Sequence, residues 1–563
     1  MQTEAGPTDA AGAKPGRLNG LLGVLIALKL VILFVFAWKI RLVMDEFVFL
    51  GNAKYLFDGA YETYWPAKAF GYALFFKLAH VTGWDATSIL LVGRFQTALL
   101  GCATVAMTYA CARALGENRT RALAIVLVLL SFSNFMERIF RTIAEPVALF
   151  FAVAALLVVV RARPVTSRAI VLAGALSGLS FLATQKSVYF NFALGVALVA
   201  DAALARRYLL GIQRGAWLVL GWTLPLIAYC LFFAPTNPLP IAENLFVGPT
   251  EIAFRGGGDY GGLRQYVVQI LIRNAALCAL CFAGILLALR HVGKLPEARR
   301  IALIFSLVIT VLVFAHDQPW PYVFIMALPF MALWVLVPLD RIAGNRTQSR
   351  LGWIVLGGAI AVSFVSNVRY LRIDNPAQLE LVARAEAMLG PDEKYFDGIA
   401  MLPNRKEPST LWLDRHFIIR TLREGAGSEA YRILADDPPK MIIWSKRMGE
   451  IHRVIAPVFD DSYVAVAPNV RLAGHRLTLG EAAIFKVPIA GTYRLYDATG
   501  RTVQGRIEVD GKALGPRVRL TRGVHPVILR AGADEALLVL EGSYAGLFAP
   551  GPDNLELFED VYN

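Results

Sequence analysis

The sequence predicts a polytopic α-helical membrane domain of about eleven spans, followed by an outer soluble part that runs from an α/β region into a β-sandwich. Three observations carry that expectation. Hydrophobic residues make up 56% of the 563 positions and charged ones 18%, far from soluble usage, so the apolar surface must be buried in lipid. Apolar runs of membrane-spanning length recur up to about residue 370 and then stop. Beyond that point the chain is of mixed polarity, and its last part consists of short β-rich runs punctuated by Gly and Asp-Gly.

Taken in order, residues 1–20 are Ala/Gly/Pro-rich and are expected to be a disordered cytoplasmic N-terminus. The run "LLGVLIALKLVILFVFAW" follows with no small-residue cleavage site after it, so it is read as an anchor. Within a helical domain spanning 21–369, spans are expected at about 21–38, 88–110, 122–136, 144–160, 169–184, 188–204, 215–233, 267–289, 301–315, 321–338 and 352–368. The stretch "AKAFGYALFFKLAHVTGW" reads as an interfacial or re-entrant helix.

The chain has 56 Lys+Arg against 43 Asp+Glu, a net +13, but the basic residues gather in short loops between apolar runs. That distribution speaks for membrane orientation and against nucleic acid as a partner. The loops "CARALGENRTR", "RARPVTSR", "ARRYLLGIQR", "RHVGKLPEARR" and "DRIAGNRTQSR" fall on one side with Lys14 and Arg17, the cytoplasmic side by the positive-inside rule. An odd number of spans then puts the C-terminal domain outside, periplasmic or extracellular. All five cysteines lie in or beside the apolar part, so the soluble part has no disulfide framework. Cys278 and Cys281 form a CxxC without His or Cys neighbours and are read as small apolar packing residues.

With this topology the outer helix ends carry Asp45 and Glu46, then "NFMERIFRTIAEP", "TQKS" and "AHDQPWPY". Charged groups near a bilayer are costly unless they are paired or line a wet cavity. A lone Arg or Glu at a helix end is ordinarily an interfacial anchor, but anchoring does not account for Asp45, Glu46, Glu137, Glu145 and Asp317 together. Carboxylates beside cations at an outer face suit glycosyl transfer from a polyprenyl-phosphate sugar. A carboxylate takes the proton of an acceptor hydroxyl, while Arg and Lys neutralise the leaving phosphate. No Gly-rich phosphate loop following a strand is present, so the sugar donor is expected to be lipid-linked rather than a soluble nucleotide.

The order "MDEFVFLGNAKYLFDGAYETYWPAKAFGY", "RTIAEPVALFFAVAALL", "GALSGLSFLATQKSVYF" and "HDQPWPYVFIMALPFMALW" resembles the GT-C glycosyltransferases. Within them it resembles the protein O-mannosyltransferase and lipid A aminoarabinose transferase type, including rhizobial galacturonosyltransferase-like proteins, over roughly residues 20–370. The resemblance implies an inverting membrane glycosyltransferase. Its donor would be a polyprenyl-phosphate sugar and its acceptor an envelope lipid, lipid A, glycan or protein, at the outer face of the bacterial inner membrane. Asp45 matches the catalytic Asp of the first loop, implying the general base, and Glu46 the acid beside it, implying an orienting role. Glu145, preceded by Arg141, matches a second outer acid that holds the acceptor or the first loop. Lys186 matches the Lys ending a G-L-x-F-L-x-x-x-K helix and is a candidate for the donor phosphate, though "TQKS" departs from the family's pattern. His316 and Tyr322 occupy the place of a late R/H…Y…P…P segment that binds phosphate, with His in place of Arg. Arg138 is a further phosphate candidate from the reading of the residues alone.

Plainer roles stand beside these. Lys186 also fits a snorkelling lysine, His316 a capped interfacial histidine, and Glu137 a partner of Arg141 at i,i+4. No cofactor is assigned and no metal ligands are named; a divalent ion held by the acid pair with His316 stays open, since hard cations need more oxygen ligands than these. The outer stretch 234–266, with "RGGGDYGG", reads as a connector or as a hinge for a closing flap. After the membrane domain, 370–475 reads as α/β and 476–563 as a jelly-roll-like β-sandwich, either a glycan-binding module or a packing cap. The alternative function is a polytopic transporter or flippase of lipid-linked envelope intermediates. That reading requires charges at mid-membrane depth and inverted-repeat breaks, whereas the charges singled out here are at the outer ends.

Overall fold

The structure, a computed structural model, describes residues 15–56, 69, 71–81, 83–233, 239, 241, 243, 245–247, 263–316, 319–342, 346–409, 412–413 and 415–558. The N-terminal segment up to residue 14, Asp317 and "RGGGDYGG" lie outside the described residues. The chain divides into two compact units. One, Met1–Ile40 with Tyr61–Phe75 and Arg94–Ile373, is helical; the other, Arg41–Ala60 with Phe76–Gly93 and Asp374–Asn563, contains the strands.

The helices are α1 (Pro15–Lys39), α2 (Met44–Tyr55), α3 (Gly71–Phe76), α4 (Ala86–Ala114), α5 (Arg119–Leu129), α6 (Ser133–Arg138), α7 (Ala144–Arg161), α8 (Ser167–Ala183), α9 (Val188–Leu204) and α10 (Tyr208–Phe233). They continue as α11 (Arg264–Arg273), α12 (Ala275–Leu289), α13 (Glu297–Phe314), α14 (Leu328–Ala332), α15 (Val337–Ile342) and α16 (Arg346–Tyr370). Among the described residues six are long and apolar enough to cross a membrane: α1, α4, α7, α9 with the turn before it, α10 and α16. The α11–α12 pair, bent by 94°, adds a seventh if it counts as one span. The other stretches read as spans are helical: 169–184 falls on the 17-residue α8 and 301–315 on the 18-residue α13. Residues 122–136 give α5 and part of α6, and 321–338 give a 3₁₀ turn, α14 and the start of α15, interrupted by Pro329 and Pro338.

Packing in this unit depends on small residues, since lipid is as apolar as the helices themselves. The Gly174-x-x-x-Gly178 face of α8 lies against α10, where a Cβ on Gly174 would fall 2.3 Å from the Leu218 carbonyl oxygen and one on Gly221 2.0 Å from that of Val171. The basic loops are joined to one another. Arg121 Nη1 is 2.7 Å from Asp340, Arg299 Nη2 2.8 Å from Glu117, and Arg300 Nε 2.7 Å from Asp201, which also binds Arg214 Nη1 at 2.9 Å. Arg163 donates to the Ala114 carbonyl. All five basic segments therefore meet at one end of the helical unit. Lys29, within the first span and fully buried, donates to Ser363 Oγ at 2.8 Å and lies 4.1 Å from the Phe364 ring centroid.

In the strand-bearing unit, β1 (Tyr395–Phe396), β2 (Met441–Ile443), β3 (Tyr463–Ala467), β4 (Val470–Thr478), β6 (Gly491–Tyr496), β9 (Arg517–Leu520) and β11 (Glu535–Leu540) form one sheet in the order β1-β2-β4-β11-β6-β9, with β3 also on β4. β5 (Ala482–Val487), β7 (Arg506–Val509), β8 (Lys512–Leu514) and β10 (Gly523–Ala531) form the second, in the order β5-β10-β7-β8. Phe485, Ile507, Val527 and Leu529 of the second sheet share a core with Leu477, Tyr493, Leu495 and Leu538 of the first, which makes a β-sandwich. β4 serves both parts: its first residues pair with β2 and β3, and its last, from Gly474, with β11. β1 and β2 are parallel, joined by a crossover that includes α17 (Arg415–Glu424) and α18 (Glu429–Asp436), the α/β part of the region.

Candidate active site

Asp45 and Glu46 are the second and third residues of α2, where the open amides of the first turn favour carboxylates. Glu46 is fully buried, and its Oε1 accepts from the Val43 amide at 3.1 Å, one arm of a capping box. That bond ties Glu46 to the loop that leads into α2. Asp45, beside it, is only partly buried.

The strand-bearing unit holds α2 from both ends. Gln378 pairs with the backbone of Leu42 in both directions, accepting from its amide at 2.6 Å and donating to its carbonyl at 3.0 Å. Further along, Gly51 lies against Ala400, where a Cβ would fall 2.5 Å from the Ala400 Cβ. Ala400 itself has φ 59°, a left-handed conformation. The buried Asp397 carboxylate secures that turn by accepting from the amides of Ile399 at 2.8 Å, Ala400 at 2.9 Å and Met401 at 2.9 Å. Tyr55, the last residue of α2, donates to Glu407 Oε2 at 3.3 Å. Burial pushes the Asp397 carboxyl up to about 6 despite its three amide partners. Burial, and then the neighbouring Asp397 charge, also raise Glu407, and burial with the Glu407 charge raises the Tyr55 phenol.

The helical unit brings together another set of the expected residues. Glu145 lies in the first turn of α7 with 3% of its side chain exposed, and Lys186 Nζ binds its Oε1 at 2.8 Å. Lys186 does not end a helix. α8 stops at Thr184, which is extended, and Lys186 occupies a 3₁₀ turn, Gln185–Ser187, before α9. This break turns the ammonium toward Glu145 in the first turn of α7. The ammonium also sits 4.3 Å from the centroid of the Tyr322 ring, and 29% of the Lys186 side chain stays exposed. His316 Nδ1 is 2.8 Å from the Tyr189 hydroxyl, and Trp320 stacks on Tyr322 at 6.4 Å. Asn134 of α6 donates to the Pro321 carbonyl at 3.1 Å, which fixes this segment.

Arg138 and Arg141 are buried at the end of α6 and in the turn after it. Arg141 Nε donates to the backbone carbonyl of Glu137 at 3.0 Å, while the Glu137 carboxyl hydrogen-bonds the Tyr370 hydroxyl. The i,i+4 contact expected between Glu137 and Arg141 is thus made to the main chain. Sequence reasoning passed over Tyr189, Asn134 and Trp320. Tyr189 follows Lys186 by three residues, in the first turn of α9. Among the described residues no three His, Cys, Asp or Glu side chains group so as to hold a metal ion.

Two family models match within the strand-bearing unit, each described as a domain of unknown function: DUF7056 over residues 419–472 and DUF7055 over 475–540. Comparison with curated proteins found no match to the sequence. Among solved structures, ArnT from Cupriavidus metallidurans bound to undecaprenyl phosphate is similar at a TM-score of 0.56 and 14% identity, over 81% of this chain and 98% of ArnT. The apo state of the same protein matches with the same values. The archaeal oligosaccharyltransferase AglB from Archaeoglobus fulgidus, in complex with an inhibitory peptide and a dolichol-phosphate, aligns over 85% of this chain and 74% of its own at 12% identity, with a TM-score of 0.49. ArnT is a GT-C superfamily glycosyltransferase, and the match to it takes in most of both chains. This chain is therefore a multi-pass membrane protein with the GT-C fold, its apolar helices followed by a β-rich C-terminal region.

Proposed function

We propose that the chain is an inverting glycosyltransferase that moves a sugar from a polyprenyl-phosphate donor to a hydroxyl of an envelope acceptor, at the outer face of the bacterial inner membrane. The observation that carries this reading is the Lys186 ammonium, held between the buried Glu145 carboxylate and the Tyr322 ring. It occurs in a fold shared with ArnT, whose structure contains undecaprenyl phosphate. An ammonium bound to one carboxylate keeps further N–H donors for a phosphate, and the adjacent ring and carboxylate fix where it points.

In this reading the acceptor oxygen attacks the anomeric carbon while the bond from that carbon to the phosphate oxygen breaks. The electron pair leaves with the polyprenyl phosphate, and the acceptor proton passes to Asp45. Lys186, with Arg138 and Arg141 on the same unit, stabilises the charge that develops on the departing phosphate. Glu145 orients Lys186. His316 and Tyr322 form the aromatic wall beside it, with His316 fixed by Tyr189. Glu46 keeps the turn that presents Asp45.

The test uses purified protein with a panel of polyprenyl-phosphate sugars and envelope acceptors, comparing wild type with Asp45→Asn. The amide keeps the shape of the side chain but cannot take the proton, so donor binding is retained and transfer falls by about 100-fold or more. Equal turnover by the two proteins removes Asp45 from the base role. Movement of intact donor across a vesicle bilayer without sugar transfer would favour a flippase instead.

A further inference from the structure

The strand-bearing unit contains a cleft of about 340 Å³, walled by the end of α2, the 3₁₀ turn Lys77–His80 with the residues after it, and the turn at 403–405. Its volume is within the range of small-molecule sites. Three separate stretches of chain each bring a cation to it: Lys54, Lys77 and Arg405, with His80 beside them. Each is held by a local contact. Lys77 Nζ donates to the Lys54 carbonyl at 2.8 Å, and His80 Nε2 binds the Leu50 carbonyl at 2.9 Å. Lys54 Nζ sits 4.7 Å from the Tyr55 ring centroid, and Arg405 Nη2 is 3.3 Å from Glu386 Oε1.

Such contacts fix Lys77 and Arg405 while leaving donors over, since an ammonium has three and a guanidinium five. Arg405 Nε is buried with no hydrogen-bond partner among the described residues, so the protein does not satisfy the whole guanidinium. The opposing carboxylates are already engaged. Glu386 accepts from the Ala86 amide at 2.8 Å and from Asn404 Nδ2 at 2.5 Å as well as facing Arg405. Asp397 and Glu407 lie near Lys54, and burial raises both carboxyls. The indole of Trp84 completes the lining, 44% exposed, and offers a flat apolar face.

We propose that this cleft binds the phosphate of a phosphorylated sugar, with Lys54, Lys77 and Arg405 on the phosphate oxygens and Trp84 against the sugar ring. Phosphate is favoured over a neutral glycan because three cations from separate stretches converge on one small space. The inference does not depend on the transfer reaction and is tested by binding alone.

Full-length protein in phosphatidylcholine nanodiscs is titrated with glucose 1-phosphate, with glucose and with inorganic phosphate, by calorimetry. Glucose 1-phosphate is expected to bind saturably and more tightly than either of the others. Lys77→Gln and Arg405→Gln should each weaken it by about tenfold or more, and Lys77→Arg should restore most of the loss, with high salt weakening all of them. A second arm adds phosphatidic acid to the nanodiscs. Loss of glucose 1-phosphate binding there assigns a lipid head group as a source of the phosphate, and unchanged binding assigns a soluble or glycan-borne one. Titrations equal in wild type and in both glutamine variants, each with wild-type melting, overturn the proposal, as does the absence of glucose 1-phosphate binding in the phosphatidylcholine nanodiscs.

Discussion

Glu145 and Lys186 hold each other in a geometry that neither keeps alone. The carboxylate is almost wholly buried, so removing its cation leaves an uncompensated charge, whereas removing the carboxylate only releases an ammonium that is partly exposed. The two substitutions are therefore unequal. Lys186→Met is expected to raise KM for the polyprenyl-phosphate donor by about tenfold or more if Lys186 holds the donor phosphate as proposed. Glu145→Gln is expected to cost less in KM. In the double variant Glu145→Gln/Lys186→Met the losses fall short of additive, and steady-state kinetics of the four proteins measures the coupling. Additive losses would mean that Glu145 does not act through Lys186. At this scale the sequence made the residue types legible but not their partners. Asp45 and Glu46 look alike as neighbours in the chain, and only the fold shows Glu46 spent on the Val43 amide. Lys186 could be picked out as a candidate, but the extended backbone at Thr184 that aims it at Glu145 follows from where α8 must stop against its neighbours.

Among the elements, the α8–α10 contact tests the helical packing most directly. A Cβ at Gly221 would lie 2.0 Å from a backbone oxygen, which cannot yield as a side-chain tip can. Gly221→Ala should push the two helices apart and lower stability by about 1–3 kcal/mol. On the same helix Gly215 has nothing within 4 Å of its Cβ position, so Gly215→Ala should be neutral or stabilise by up to about 1 kcal/mol through helix propensity. Melting of the two variants in one detergent separates close packing from propensity. The Gly174 and Gly178 positions are legible in the sequence, but not the helix they face. The periodicity of the spans was readable too, and so was the grouping of the basic loops, which the ion pairs around Asp201, Glu117 and Asp340 now join. What hydropathy could not give was the length of each helix. Within 321–338 every residue but a few is apolar, yet Pro329 and Pro338 divide it, because a window average carries no information on hydrogen bonds that proline removes. Lys29 escaped notice for the complementary reason: one lysine barely alters an average, although Ser363 is its fixed partner.

At the scale of the whole molecule, the buried carboxyls of the strand-bearing unit tie its stability to pH. Asp397 titrates in the folded protein at about 6, above its ordinary range, and Glu407 is shifted the same way. A raised carboxyl binds its proton more tightly when folded, so this contribution is complete below the unfolded carboxylate range, near pH 4, and is lost as pH rises through the folded value. Between about pH 4 and 7 the Asp397 shift alone accounts for a loss of about 3 kcal/mol. Melting of the full-length protein should therefore show its strand-bearing unit weakening over this range and further as Glu407 ionises, and Glu407→Gln, which still accepts from Tyr55, should reduce the slope. A slope unchanged in that variant would take Glu407 out of the account. The same unit has a less obvious property in β4, whose edges serve two partners in succession. The matched segments 419–472 and 475–540 are separated at Leu472 to His475, in the middle of that strand. Severing the chain there would free no pair of modules. It would leave two half-strands, one keeping β2 and β3 and the other keeping β11, and break the one strand that joins the two parts into a single sheet. A single run of nine residues is the seam of both segments.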